Sequence, residues 1–112
     1  MSRIVTVYTT TDTDDDALRL ARALVDENLA ACVNILPRGR SVFRWEGKVA
    51  DEAETYLLIK STEARVPALK ARLAELHSYD VPCIGVWPWI DGHGPFMDWV
   101  AAEVAESITS KK

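Results

Sequence analysis

Five consecutive residues, Thr55-Tyr56-Leu57-Leu58-Ile59, do most to limit what this chain can fold into. Every position is β-branched, aromatic or aliphatic, so the run reads as a strand. Alternate side chains of a strand point to opposite faces. Residues 55, 57 and 59 therefore share one face, 56 and 58 the other, and neither set is charged. The pattern returns later, where Ile84, Val86 and Ile90 share a face and Trp87 and Trp89 take the opposite one. An antiparallel sheet with one solvated face shows clean apolar–polar alternation. This chain lacks it, so both faces of its sheet need cover.

The remaining segments supply that sheet and part of the cover. Residues 3–9 form another β-branched and aromatic strand. Thr10 to Asp16 carry capping chemistry: Asp12 or Thr13 can cap, and the aspartates suit the positive end of a helix dipole. Ala17, Leu20, Ala21, Leu24 and Val25 then recur at helical spacing, predicting a one-sided helix that ends near Asn28 or Leu29. Ala31 to Leu36 reads as a strand that resumes at residues 41–45 after Pro37-Arg38-Gly39-Arg40. Glu46-Gly47 is a hairpin turn, and Lys48 to Lys60 is the returning strand. The Pro-Gly interruption predicts a bulge or bend within one long hairpin. A second helix is expected over Glu63 to Leu76, with Pro67 in its first turn and Val66, Leu69, Leu73 and Leu76 as its buried stripe. Residues 83–90 form the fourth strand, and residues 91–95 a loop. A third amphipathic helix follows, with Phe96, Val100, Val104 and Ile108 on one face. The order is β-α-β-β-α-β with an extra C-terminal helix: a ferredoxin-like α+β fold, expected as a single domain over 1–112.

At 112 residues the chain has room for one hydrophobic core. Its net charge of −4 gives no pull toward nucleic acid or an anionic membrane. The first residues, Met1 to Val5, lead straight into a strand without the pattern of a secretory leader, so the expected compartment is the cytoplasm. Cys32 and Cys83 are then expected as reduced thiols. Four tryptophans call for burial in a core or an interface. The extra helix covers part of the second sheet face and leaves the rest bare, so self-association is the economical solution.

Several motifs carry a family resemblance. Ala30-Ala31-Cys32-Val33-Asn34-Ile35 precedes Ser41-Val42-Phe43-Arg44-Trp45-Glu46-Gly47-Lys48; Glu54 and Ile59-Lys60-Ser61-Thr62 follow, then His77-Ser78-Tyr79-Asp80-Val81-Pro82 and Phe96-Met97-Asp98-Trp99. In this order they resemble the CutA (divalent-cation tolerance) family across nearly the whole chain. The resemblance implies a ferredoxin-like homotrimer whose strands pair across subunits, and a link to tolerance of copper and other divalent cations. It also implies an inter-subunit cleft holding Trp45, Glu54, Lys60 and Tyr79. Three positions depart from the family pattern: Phe43 where Tyr is usual, Ser78 for Pro, and Cys83 for Glu. The last exchanges a hard oxygen for a soft sulfur, which shifts any metal preference toward Cu(I) or Zn(II).

Candidate chemistry is sparse. His77 and Cys83 flank one turn with Asp80 between them, Cys32 lies on another strand, and together they offer imidazole, thiolate and carboxylate to a soft or borderline metal. The spacing matches no closed zinc site. The alternative is that both cysteines are packing residues and that His77 hydrogen-bonds at a helix end. Lys60 reads either as a cleft residue or as a solvated strand end. No enzyme is expected: the loop after the first strand is acidic and would repel phosphate, and no nucleophile–base pair lies on one element. The strand over residues 54–60 lacks the basic aromatic run of an RNA-binding sheet. No obligatory cofactor is expected, with copper or another divalent ion as the candidate ligand. A trimeric signalling scaffold that senses a small molecule in the cleft is the competing expectation.

Overall fold

The computed structural model describes residues 2–106. Strand β1 (Ile4–Thr11) leads to helix α1 (Asp14–Asp26), the hairpin strands β2 (Cys32–Trp45) and β3 (Lys48–Thr62), helix α2 (Val66–Leu76), strand β4 (Ile84–Pro88) and helix α3 (Gly94–Val104). One four-stranded sheet has the order β2-β3-β1-β4, with every neighbouring pair antiparallel. This is the ferredoxin-like α+β arrangement, with α3 as the added element.

Each element starts and stops for local reasons. The Thr13 side chain accepts a hydrogen bond from the Asp16 backbone N–H at 3.1 Å, and three aspartates fill the first turn of α1. The acidic run is thus capping chemistry, and Asp14 also accepts a hydrogen bond from the Thr55 hydroxyl. The helix ends at Asp26, earlier than its periodicity suggests, because Asn28 turns to φ 58° and the Leu29 and Ala30 N–H groups fold back onto the Leu24 carbonyl. Val25, placed on the buried stripe by spacing, sits at the stripe's edge in the last turn and is exposed. The segment before Pro67 forms a short 3-10 turn over Glu63–Arg65, so α2 proper starts at Val66. Strand β4 is shorter than its apolar run: pairing stops at Pro88, Trp89 turns toward α3, and Ile90 is fully exposed. Ile108, assigned to the apolar face of α3, lies outside the described residues.

Two apolar layers result. Between the sheet and helices α1 and α2 lie Val5, Val7, Leu20, Leu24, Leu57, Ile59, Leu69 and Leu73, all essentially solvent-free. Side chains of this size contribute about 1.5–3 kcal/mol each on burial. On the opposite face, α3 packs Val100 and Val104 against Ile4 and Ala31, flanked by Trp89 and Phe96. That layer covers only one end of the second face.

The hairpin β2–β3 runs on past the helices. Its tip is a two-residue turn with Glu46 at φ 50° and Gly47 at φ 81°, the geometry that matches strand twist. Midway, the register moves from Leu36 opposite Tyr56 to Gly39 opposite Glu54, so β2 carries one residue more than β3. The bulge anticipated at Pro37 to Arg40 is therefore present, with Arg38 at φ 64°. The Tyr56 ring lies over Gly39, and its hydroxyl donates to the Arg40 carbonyl at 2.7 Å. A Cβ at position 39 would stand 2.6 Å from that ring and 2.7 Å from the Glu54 carbonyl oxygen. Gly39→Ala is accordingly expected to cost about 1–3 kcal/mol by overpacking, read as a lower midpoint in urea unfolding. An unchanged midpoint would show that the bulge can widen freely.

Candidate functional site

The bulge and the end of β1 frame a cleft of about 660 Å³ on the second sheet face. Strand β1 contributes Tyr8 and Thr10 with Asp12 just beyond, β2 gives Ser41, Phe43 and Trp45, and β3 gives Glu52 and Glu54. The loop between α2 and β4 closes it with Tyr79, Asp80, Val81 and Cys83.

Glu54 organises this cleft. One carboxylate oxygen accepts from the Ser41 hydroxyl at 2.6 Å, and the other from Tyr79 at 2.7 Å and Thr10 at 3.3 Å. Three separate elements are therefore tied to one half-buried charge. Hydrogen bonds to an ionised acceptor are among the stronger ones. The price appears at Tyr79, whose phenol is pushed well above its usual range by burial and then by its bond to Glu54, with Asp12 and Glu52 adding. Tyr8 is raised too, by burial first and then by Cys83, Tyr56 and Glu54. It stacks on Trp87 with centroids 5.4 Å apart.

His77 fixes the loop from behind. It is buried at the end of α2, where its backbone N–H reaches the Leu73 carbonyl. Its Nδ1 accepts the Tyr79 backbone N–H at 3.1 Å, which places the ring proton on Nε2, where it donates to the Thr10 carbonyl at 2.9 Å. Both nitrogens are committed, and metal ligation would require giving up one of these bonds. The helix-end alternative describes what His77 does here.

Of the residues singled out from the sequence, Trp45, Glu54, Tyr79 and Cys83 line the cleft. Lys60 does not: it stands further along β3, in cross-strand register with Cys32 and Thr6. Cys32 is half-buried and Cys83 exposed, and neither is in a disulfide. Among the described residues no three His, Cys, Asp or Glu side chains converge as a metal site. Sequence reasoning missed Tyr8, Thr10, Ser41 and Glu52, and it favoured Asp12 as a helix cap. The signal for Ser41 was parity: beyond the one-residue bulge, odd positions of β2 face the way even ones did before it.

The architecture is that of a small ferredoxin-like domain with an overlong hairpin and an acidic, aromatic cleft at its base. The chain belongs to the family described as CutA1 divalent ion tolerance protein, whose model matches residues 5–103. It is 43% identical over 94 residues to the divalent-cation tolerance protein CutA of Thermus thermophilus, covering 84% of this chain and 91% of that one. It is 39% identical over 103 residues to the chloroplastic CutA 1 of Oryza sativa, covering 92% of this chain but 58% of the rice protein. The crystal structure of CutA1 from Oryza sativa superposes with a TM-score of 0.91 at 38% identity, over 95% of this chain and 97% of that one. The family resemblance drawn from the motifs is thereby established.

The Tyr79 phenol gives the site a pH signature. A tyrosine held neutral in the fold stabilises it fully below its unfolded value near 10 and less as pH rises through that value toward the higher folded one. Stability should therefore fall above about pH 10. Tyr79→Phe should remove part of that slope and cost about 1 kcal/mol at neutral pH, because the bond it loses is half-exposed. Urea unfolding at pH 8 and pH 11 measures both, and identical slopes in the two proteins would place the alkaline loss elsewhere.

Proposed function

We propose that this protein acts in divalent-cation tolerance as a homotrimer, and that soft or borderline cations meet it at Cys83. The observation that carries the assembly is the uncovered part of the second sheet face. Trp45 is 56% exposed and Trp87 51%, and Leu36 and Phe43 are exposed with them on the same face. Apolar area on this scale marks an interface in a soluble protein, and three copies is the number that the family resemblance implies. The relatives are named for cation tolerance, which favours this reading over the signalling one.

For the cation, Cys83 is the softest donor in the cleft, with Asp12, Glu52, Glu54 and Asp80 around it. A single subunit brings no three such donors together among the described residues. Bound Cu(I) or Zn(II) therefore takes its remaining ligands from a neighbouring subunit or from water. Cys32 is the secondary candidate, and His77 contributes by holding the loop.

Light scattering should give three times the 12.5 kDa subunit mass. Trp87→Ala and Trp45→Ala should each lower the concentration at which the assembly persists, while a 12.5 kDa particle at micromolar concentration would refute the assembly. In competitive Cu(I) titration, Cys83→Ser should weaken binding by about tenfold or more, and Cys32→Ser by less. Equal affinities for wild type and Cys83→Ser would remove Cys83 as a ligand.

A further inference from the structure

The loop between α2 and β4 hangs on a single residue. Among the described residues, no backbone N–H or carbonyl from Ser78 to Pro82 bonds to another backbone group. The two bonds that hold the loop are both made by Tyr79: its backbone N–H donates to His77 Nδ1 at 3.1 Å, and its hydroxyl donates to Glu54 at 2.7 Å. Ser78, Asp80 and Val81 are exposed, so little packing adds to them. We infer that His77 is an acid-sensitive latch, and that protonation of its ring releases this loop and the part of the cleft wall that Tyr79 forms. This goes beyond cation tolerance and does not depend on Cys83 as a ligand.

The latch closes in one protonation state. Facing a backbone N–H and a backbone carbonyl, Nδ1 must accept and Nε2 must donate, and only the neutral ring does both. An imidazolium carries a proton on each nitrogen. Its Nδ1–H would then meet the Tyr79 N–H, donor against donor, and the bond that holds the loop backbone is lost. The Thr10 carbonyl and the Thr9 hydroxyl, 3.4 Å from Nε2, offer nothing to Nδ1 in exchange.

The surroundings provide no counter-charge for a protonated ring in place. His77 is 8% exposed, and among the described residues no carboxylate bonds to it. On α1, Arg19 bonds to the Leu76 carbonyl at 2.9 Å and pairs with Asp16, which sets a cation one residue before the ring. On α2, Arg72 and Glu75 pair with each other. On β3, Glu54 is taken up by Tyr79, Ser41 and Thr10. Asp12, beyond β1, and Asp80, on the loop itself, are exposed. The Tyr79 phenol packs on the ring with centroids 4.9 Å apart and carries no charge in acid. A buried charge without a partner is costly, so the protonated ring gains water by letting the loop go. Histidine changes charge within about pH 5–8, which sets the window for release.

The test is NMR of the metal-free protein, titrated from about pH 7.5 to about 5.5. It reads the ring C–H signals of both histidines and the exchange protection of the Tyr79 amide. His93, the only other histidine, is exposed ahead of α3 and makes no capping bond, so it serves as the internal reference. His77 should take up its proton in step with a loss of about tenfold in Tyr79 protection, while the amides of β1 and β3 keep theirs. His77→Gln does not titrate and should abolish the step. Glu54→Gln keeps a carbonyl acceptor for the Tyr79 hydroxyl and should retain it. The inference is overturned if His77 is protonated with Tyr79 protection unchanged, or if its ring stays neutral until the whole chain unfolds. A step that survives in His77→Gln, or disappears in Glu54→Gln, overturns it equally. No metal enters the measurement, so its outcome is independent of the Cys83 titration.

Discussion

A fifteen-residue strand is too long for a domain of this size, and most of the molecule follows from that mismatch. At about 3.4 Å per residue β3 extends roughly 50 Å, and the longest dimension of the chain is 50 Å. The helices that cover the sheet have 13 and 11 residues, which at 1.5 Å each reach no more than about 20 Å. The first half of β3, paired with the second half of β2, therefore stands beyond any helix as a two-stranded arm. An isolated hairpin is marginal in water. The arm's exposed Val42, Phe43, Trp45 and Val49 are consistent with a structure that expects to be covered by something else.

The same overhang makes the cleft. Where the arm leaves the body, the sheet changes from a supported layer to a free ribbon, and the bulge at Leu36/Gly39 sits at that boundary. Glu54 lies opposite Gly39 and bonds to the arm through Ser41, to β1 through Thr10 and to the α2–β4 loop through Tyr79. One carboxylate thus sets the angle at which arm and body meet. His77 supports it from the loop side by linking Tyr79 to the Thr10 carbonyl, so that both partners of Glu54 in that region share an anchor.

Much of this was legible in the sequence, and the failures have definite causes. The two-faced character of β3 was readable because Leu57 and Ile59 alternate with Tyr56 and Leu58, and strand parity is a strict rule. The turn at Glu46-Gly47 and the bulge near Gly39 were readable from glycine and proline. Val25 and Ile90 misled because apolarity alone does not reveal that a residue at the stripe's edge in the last turn of α1 stays exposed, or that Pro88 ends the pairing. The cleft was half-legible. Trp45, Glu54 and Tyr79 stood out through the family motifs, whereas Ser41 and Asp12 came to the site through a parity shift and a loop path that no short motif encodes. The role of His77 depends on two backbone groups, and backbone hydrogen bonds leave no trace in residue identity.

The strand order also governs how the chain must find its fold. β1 lies inside the sheet, yet its partners are Thr62 to Thr55 on one side and Pro88 to Ile84 on the other. Nothing near β1 in sequence can satisfy its backbone, so its amides wait until distant segments arrive. The β2–β3 hairpin, by contrast, needs only its own two-residue turn and can close within microseconds. The arm is therefore the first long-lived strand pair a folding chain can offer, while the body depends on slower, non-local pairing. Collisions between chains at that stage would meet an apolar ribbon before a finished core. Yield on refolding should thus be sensitive to protein concentration in a way that the native stability does not reveal.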